Sequence, residues 1–229
     1  MRRCMVVWVM FAGCSSPKPV EAPPPAPVPS ATPVADRCIA GDLPSCFEVG
    51  IAANADGPQR DVATAKALFE KGCAGKHLQS CGELGALYDE GEGIAQDYPR
   101  AAELYKQACD GGIADYCNNL GRLYKYGRGV PEDKERAAAL FQHGCDRNSL
   151  ISCNNLGVLL ENGLGVPTDY ARAKVLYTTA CDGGELRGCH NLGVLYQEGH
   201  GVAIDPETSK MFFKRACDGG LAESCEGAQ

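Results

Sequence analysis

Residues 108–121 read ACDGGIADYCNNLG, and the spacing of the two cysteines in this stretch decides the fold. Cys109 and Cys117 stand eight positions apart, on either side of a pair of glycines. The same spacing recurs in five further pairs: Cys38 and Cys46, Cys73 and Cys81, Cys145 and Cys153, Cys181 and Cys189, and Cys217 and Cys225. The step from one pair to the next is 35 residues once and 36 thereafter. Since a fixed period is the signature of a repeat protein, the chain of 229 residues is predicted to be a stack of similar units.

One unit is predicted to be two helices joined by a tight loop. After Cys117, the apolar residues Leu120, Leu123 and Tyr124 follow at helical spacing, and the pattern ends at a pair of glycines. A second apolar pattern begins behind Pro131 and several acidic residues, which is typical of the first turn of a helix. The fold class is therefore all-α. Residues 38–229 are predicted to form a repeat domain of five units of about 36 residues and a C-terminal fragment.

Each unit also carries a glycine inside its first helix and a small residue in its second. Gly121 occupies a helix interior, where glycine costs about 1 kcal/mol relative to alanine. Close contact with a neighbouring helix would explain why this cost recurs. The equivalent glycines are Gly50, Gly85, Gly157 and Gly193, and the small residues of the second helix are Ala101, Ala137, Ala173 and Ser209.

The first residues have the pattern of an export signal. MRR is a short positive segment, CMVVWVMFAG is an apolar run too short to span a membrane, and GCSS is a small-residue junction, so residues 1–13 are predicted to be a signal peptide. FAGC resembles the bacterial lipobox, with Phe11 where leucine is usual, and the resemblance implies cleavage before Cys14 and lipidation of its thiol. Ser15 is common after an acylated cysteine destined for the outer membrane. Ordinary secretion, with Cys14 incidental, is the alternative. Residues 14–37 would hold the lipid and an extended, proline-rich linker.

Composition narrows the compartment and the partners. With 22 basic against 29 acidic residues and a pI near 5.2, the chain offers no general attraction to phosphate backbones, so nucleic acid is not expected as a partner. Fourteen cysteines favour an oxidising compartment. Removing Cys4 with the signal peptide and committing Cys14 to lipid leaves twelve, all of them in the spaced pairs.

These cysteines favour disulfides over metal ligands or reactive thiols. Eight residues along a continuous helix separate two Cα atoms by about 12 Å, beyond the roughly 7 Å limit for a disulfide, so a bridge needs a chain reversal such as the DGG at 110–112. A bridge between Cys81 and Cys109, across the helix pair, is also conceivable, although the shorter loop closes more easily. Zinc fits less well because the four histidines share no repeat position: His77, His143, His190 and His200. Regular pairing leaves no obvious reactive thiol.

The segment NNLGVLLENGLGVPTDYARA, residues 154–173, resembles the Sel1-like repeat, a relative of the tetratricopeptide repeat. With its paired cysteines, the chain is similar to the Helicobacter cysteine-rich proteins and to Sel1-like assembly factors of the mitochondrial intermembrane space. The resemblance covers residues from Cys38 onward. It implies a right-handed α/α superhelical solenoid of helix-pair repeats, braced by disulfides between the cysteines that stand eight residues apart.

The candidate binding surface is the concave face of such a stack, formed mainly by the first helix of each unit. Helical spacing places the positions two, five and nine after the second cysteine on one exposed stripe. The candidate peptide-binding residues on it are Asn119, Arg122, Tyr126, Asn155, Asn162 and Asn191. An asparagine amide can hold an extended peptide through its donor and acceptor together; alternatively, these asparagines only cap or bridge helices within the stack. Arg122, Lys125 and Arg128, with Tyr126, form a basic patch that could equally be an ordinary solvated face.

The primary hypothesis is an exported, membrane-anchored scaffold that binds a protein or peptide in the bacterial cell envelope. It would be an outer-membrane lipoprotein, or secreted, and monomeric, touching the membrane only through its lipid. The resemblance also implies a second possibility, because members of the cysteine-rich family are described as penicillin-binding proteins or β-lactamases. The repeats contain no Ser-x-x-Lys, nucleophile elbow or histidine cluster, so no catalytic residue, metal or cofactor is predicted. An assembly or redox chaperone with a labile disulfide is the third possibility.

Overall fold

The structure is a computed structural model that describes residues 34–57 and 60–228. The predicted signal peptide, the lipidation site Cys14 and nearly all of the linker lie outside these residues. Every regular element of the described residues is helical. They are α1 (Val34–Ile39), α2 (Leu43–Asn54), α3 (Val62–Ala74), α4 (Leu78–Glu90), α5 (Tyr98–Asp110), α6 (Ala114–Tyr126), α7 (Lys134–Cys145), α8 (Leu150–Asn162), α9 (Tyr170–Asp182), α10 (Leu186–Glu198), α11 (Pro206–Asp218) and a 3-10 turn at Ala222–Ser224.

The helices from α2 to α11 form five consecutive pairs, which we number repeats 1 to 5. We call the first helix of a repeat its A helix and the second its B helix. Each A helix packs on its own B helix, and from repeat 2 onward it also packs on the B helix of the repeat before it. The predicted all-α solenoid of helix pairs is therefore confirmed. None of the helices in the described ranges has the length and apolar character needed to cross a membrane.

Local sequence sets where the helices begin and end. The A helices of repeats 2 to 5 end at a glycine in the left-handed region, of which Gly127 with φ 64° is an example. Each B helix begins behind an aspartate whose side chain accepts the backbone N–H of the residue three positions later, as Asp133 does from Arg136. The loop between the two helices is therefore fixed at both ends by a residue with a physical preference for its position.

The glycine inside each A helix makes room for an aromatic ring of the B helix. A β-carbon built on Gly121 would lie 2.6 Å from Cε1 of Phe141, which is too close for any side chain. Gly157 meets Tyr177 in the same way, also at 2.6 Å. Ala137 and Ala173, the small residues of the B helices, are fully buried. The predicted close helix contact thus explains the recurring glycine.

Six disulfides brace the stack, and each joins cysteines eight residues apart, as the resemblance to Sel1-like proteins implies. The bonded pairs are Cys38 with Cys46, Cys73 with Cys81, Cys109 with Cys117, Cys145 with Cys153, Cys181 with Cys189, and Cys217 with Cys225. The alternative bridge between Cys81 and Cys109 does not occur, since both sulfurs belong to other pairs.

A chain reversal between consecutive repeats brings the two cysteines of each pair together. The Cα atoms of Cys109 and Cys117 are 4.7 Å apart because the chain reverses between α5 and α6. Gly112, with φ 95°, takes the left-handed conformation that this reversal needs. Each bridge therefore joins the end of one helix to the first turns of the next.

Candidate functional site

The A helices of the last three repeats enclose a groove with a volume of about 550 Å³. We call the side of the stack formed by the A helices the A face. Four of the six predicted binding residues line this groove, namely Asn119, Arg122, Tyr126 and Asn155, whereas Asn162 and Asn191 do not. The full lining is Asn118, Asn119, Arg122, Lys125, Tyr126, Phe141, Ile151, Asn155 and Arg187.

Two of the four predicted asparagines bridge neighbouring repeats. Asn155 donates its side-chain amide to Oδ1 of Asn118 at 2.7 Å, and Asn191 donates in the same way to Asn154 at 2.8 Å. The acceptors Asn118 and Asn154 are buried. The alternative role of helix bridging is thus realised at Asn155 and Asn191. Each side chain still has its own carbonyl oxygen, which is an acceptor.

Asn119 differs because the preceding repeat lacks the matching asparagine. That repeat has Gly82 at the equivalent position, and the ring of Tyr116 fills the space, so that a β-carbon on Gly82 would lie 2.0 Å from Cζ of Tyr116. The Tyr116 hydroxyl then donates to Glu83 at 2.9 Å. Asn119 accepts a hydrogen bond from its neighbour Asn118 at 3.3 Å, and its own NH₂ group has no hydrogen-bond partner among the described residues.

The groove is positively charged. Arg122, Lys125 and Arg187 line it, no carboxylate does, and none of the three cations forms an ion pair within the ranges that the structure covers. The Lys125 ammonium lies 5.0 Å from the centre of the Tyr126 ring, and the Arg128 guanidinium lies 5.5 Å from the same ring. The predicted basic patch therefore borders the groove.

Arg187 is not among the predicted binding residues. It stands two positions before Cys189, whereas the predicted stripe includes only positions after the second cysteine of each pair. Ile151 occupies the same position one repeat earlier and also lines the groove. The helical period could have found both, because a position two before the cysteine is four residues from the predicted asparagine and lies on the same side of the helix.

Lys125 is not held by the B helix behind it, because that helix carries phenylalanine where repeats 2 and 4 carry tyrosine. In repeat 2 the Tyr105 hydroxyl donates to Asp89 at 3.3 Å, and in repeat 4 the Tyr177 hydroxyl donates to Glu161 at 2.7 Å. Burial, followed by the neighbouring carboxylate, raises the pKa of both tyrosines, so that both remain hydrogen-bond donors. Repeat 3 has Phe141 at the tyrosine position and Lys125 at the carboxylate position. Because phenylalanine carries no hydroxyl, the side chain at position 125 does not have to accept a hydrogen bond from the B helix.

Two other polar clusters have structural explanations. Cys109, Cys117 and His143 bring their ligand atoms within 4.8 Å of one another, but the two sulfurs form a disulfide and offer no thiolate to a metal. Nδ1 of His200 lies 3.1 Å from Glu161, the carboxylate that also accepts from Tyr177. Since Glu161 belongs to repeat 4 and His200 to repeat 5, this second cluster joins adjacent repeats.

One known protein family matches this chain, and it does so in every repeat. The sequence model of the Sel1 repeat matches five times, at residues 43–77, 78–113, 114–149, 150–185 and 186–221. These segments coincide with the five helix pairs of the structure. A comparison with curated proteins finds no match.

Two solved structures with TM-scores above 0.7 agree on the fold. A protective antigen of uropathogenic Escherichia coli strains, described as displaying an SLR fold, is 26% identical with a TM-score of 0.76 over 83% of this chain. The present chain covers 41% of that protein's length. A Sel1 repeat protein from Oxalobacter formigenes is 22% identical with a TM-score of 0.74, over 81% of this chain and 76% of the other. Cysteine-rich protein B of Helicobacter pylori is 24% identical with a TM-score of 0.45, over 55% of this chain and 98% of the other.

Proposed function

The chain belongs to the Sel1 repeat family, and we propose that it is an exported, membrane-anchored scaffold that binds a protein or peptide partner on its A face. Sel1 repeat proteins are typically protein-interaction modules. A stack of helix pairs suits this role because each repeat adds side chains to one continuous surface while the core of the fold stays the same. The binding site that we propose is the groove lined by Asn119, Arg122, Tyr126 and Asn155.

The observation that carries this proposal is the set of unused polar groups in the groove. The NH₂ group of Asn119 and the carbonyl oxygen of Asn155 have no hydrogen-bond partner in the described part of the chain. A donor and an acceptor in the same groove match the alternating C=O and N–H groups of an extended peptide. Tyr126 and Ile151, which are 55% and 41% exposed, add apolar area to the same groove. Exposed aromatic and aliphatic side chains next to polar groups are typical of an interaction surface.

Site-specific photo-crosslinking in cells tests the site. A photoreactive amino acid at Ile151 would lie in the groove, whereas one at Val175, which is 64% exposed on α9, serves as a matched control outside it. We expect one dominant protein adduct from position 151, identified by mass spectrometry, and none of that species from position 175. The same adduct from both positions, or only from position 175, would contradict binding in the groove.

Export and lipid attachment are part of the proposal. Twelve cysteines joined in six disulfides support an oxidising compartment. The FAGC motif supports lipidation of Cys14 as an envelope anchor, with the outer membrane as destination. Metabolic labelling with an alkyne fatty acid tests this anchor. The wild-type protein should take up the label and sediment with membranes, and Cys14→Ser should do neither. Labelling that persists in Cys14→Ser would rule the anchor out.

The alternative of a penicillin-recognising hydrolase finds no support in the groove. Its lining includes no serine, threonine or free thiol that could act as a nucleophile. The hydroxyl of Ser152, which has no hydrogen-bond partner, is completely buried and packs against Gly144. Nitrocefin hydrolysis that is lost on one point mutation within the repeats would revive the hydrolase alternative.

A further inference from the structure

We infer that the groove selects an acidic segment of its partner, an extended peptide that presents both carboxylate and bulky apolar side chains to the groove. This inference rests on the proposed function, since it specifies the partner of the same site. It starts from a local reversal of charge. The chain carries a formal net charge of −7, yet the groove gathers Arg122, Lys125 and Arg187 without a carboxylate in its lining.

The absence of ion pairs at these cations contrasts with other basic residues of the stack. Arg60 lies 2.6 Å from Glu92, and Arg215 lies 2.9 Å from Asp182 in the preceding repeat. Those cations are used inside the fold. Arg122, Lys125 and Arg187 have no such role in the described residues, so their charges are available to a partner.

Repeat 3 is also where the repeat pattern departs from its neighbours in a way that adds positive charge. In repeats 2 and 4 the position eight after the second cysteine is a carboxylate that binds a tyrosine hydroxyl. Repeat 3 exchanges both members of this pair, for Lys125 and Phe141. The position that carries a carboxylate in repeats 2 and 4 thus carries a groove-lining ammonium in repeat 3, and no internal contact is left unsatisfied.

The two arginines suit carboxylates better than single point charges would. A guanidinium offers its N–H groups in a planar fork that binds both oxygens of a carboxylate. Arg122 comes from α6 and Arg187 from α10, so the groove presents arginines from two repeats that are not adjacent. An extended peptide lying across three A helices could place successive carboxylates on them and its apolar side chains on Tyr126 and Ile151. Asn119 and Asn155 are then placed to bind its backbone.

Fluorescence anisotropy tests the charge preference with defined probes. The first probe is a short labelled peptide in which pairs of aspartates alternate with pairs of leucines, so that each face of the extended chain carries both residue types. The second probe replaces each aspartate with asparagine. We expect the acidic peptide to bind at least about tenfold more tightly, because hydrogen bonds between ionised groups are roughly twice as strong as neutral ones. Its affinity should fall as salt is raised from about 50 mM to about 500 mM, since salt screens exposed charges. Equal affinity for both peptides would overturn the inference.

A matched pair of variants assigns the effect to the groove. The double variant Arg122→Gln/Arg187→Gln should weaken binding of the acidic peptide at least about tenfold, with an unchanged melting temperature, because neither guanidinium serves the fold. Arg172→Gln removes an exposed arginine of α9, outside the groove, and should leave binding unchanged. Because Arg172→Gln removes one charge and the double variant removes two, a loss of binding free energy about half as large in Arg172→Gln would mean that only overall charge matters. Equally tight binding of a single-stranded oligonucleotide would overturn the choice of a carboxylate peptide.

The crosslinking experiment separates failure of this inference from failure of the proposed function. If position 151 captures its partner as well in the double arginine variant as in the wild type, the groove binds a protein but does not select acidic residues. If position 151 captures nothing in the wild type, the proposed binding site itself is wrong. Loss of capture in the double variant, with capture retained in Arg172→Gln, is the result that supports both.

Discussion

The side-chain amide of Asn155 donates to Oδ1 of Asn118 across the boundary between two repeats, at 2.7 Å. Asn118 is only 6% exposed, so this hydrogen bond is largely screened from water. The same contact joins Asn191 to Asn154 one repeat later. These bonds hold consecutive A helices in register, which fixes the spacing of the side chains that line the groove.

The hydrogen bond between Asn155 and Asn118 predicts different effects on stability for Asn155 and Asn119, which hold equivalent positions in adjacent repeats. Asn155→Ala should destabilise the protein by about 1–3 kcal/mol, because it leaves the buried acceptor of Asn118 unsatisfied. Asn119→Ala should destabilise the protein less, because it removes only the longer hydrogen bond of 3.3 Å that the Oδ1 of Asn119 accepts from Asn118, while the NH₂ group of Asn119 binds nothing in the described fold. Urea unfolding followed by circular dichroism measures both. Equal destabilisation by the two variants would show that the bridge does not stabilise the stack.

The hydrogen bond from a tyrosine hydroxyl to a carboxylate in repeats 2 and 4 predicts that the same bond can be built into repeat 3. Phe141→Tyr alone should destabilise the fold by about 1–3 kcal/mol, since it buries a hydroxyl without an acceptor. Adding Lys125→Glu supplies the acceptor that Glu161 provides in repeat 4. The double-mutant cycle should therefore give a favourable coupling free energy of about 1 kcal/mol or more between the two positions. A coupling near zero would mean that the repeats do not share this geometry.

Much of the fold could be predicted because it depends on period and local chemistry. The step of 36 residues, the helix-ending glycines and the glycine pairs at the turns each state one structural requirement in the sequence. The pairing of Cys109 with Cys117 was implied by the resemblance to Sel1-like proteins and is confirmed, although the residues alone left a bridge between Cys81 and Cys109 open.

The details of the groove were harder to predict because they depend on how two helices are rotated against each other. Asn155 and Asn118 are 37 residues apart, and only their relative orientation decides which asparagine bridges and which stays open. Gly82 is a clear exception to the asparagine pattern in the sequence, but the reason for it, the ring of Tyr116 in the space beside Gly82, depends on the packing of two helices. The exchange of a tyrosine and a carboxylate for Phe141 and Lys125 was visible in the sequence and had no evident reason until their contact was known.

The turns between repeats predict a stabilising substitution at Lys76. This residue has φ 67°, whereas the equivalent position at most other junctions is glycine, as at Gly112. A left-handed conformation costs most residues about 1–2 kcal/mol. Glycine avoids this cost, but part of the gain is lost because glycine also raises the conformational entropy of the unfolded chain. Lys76→Gly should therefore raise stability by about 0.5–1 kcal/mol. Asn148→Gly should gain less, because asparagine tolerates φ 68° better. A lower melting temperature for Lys76→Gly would contradict this account.

The aspartate at the start of α11 predicts a local dependence on pH. The Thr208 hydroxyl, at 2.6 Å, and the Thr208 backbone N–H lower the pKa of Asp205 below its ordinary value of 3.8. The ionised cap therefore stabilises the fold fully above that value, and its contribution is lost as the pH falls through the lower pKa of the folded state. Thr208→Val removes the hydroxyl, so the pKa of Asp205 should rise towards 3.8. Titration of the Asp205 carboxyl carbon by NMR measures this change, and an unchanged pKa would exclude the hydroxyl as its cause.

The disulfide between Cys109 and Cys117 predicts how cooperatively the stack unfolds. Replacing both cysteines with alanine should destabilise the protein by about 2.5 kcal/mol, the chain-entropy value for a loop of eight residues.

The effect should also depend on which junction loses its disulfide, because repeats in a solenoid are coupled only to their neighbours. Loss of this bridge weakens a central junction, so the two halves should unfold in separate steps. Replacing Cys38 and Cys46 with alanine opens a loop of the same length at one end, where only α1 should lose protection. Hydrogen exchange followed by mass spectrometry separates these outcomes. Uniform loss of protection in both variants would mean that the disulfides stabilise the stack as a whole and do not couple individual repeats.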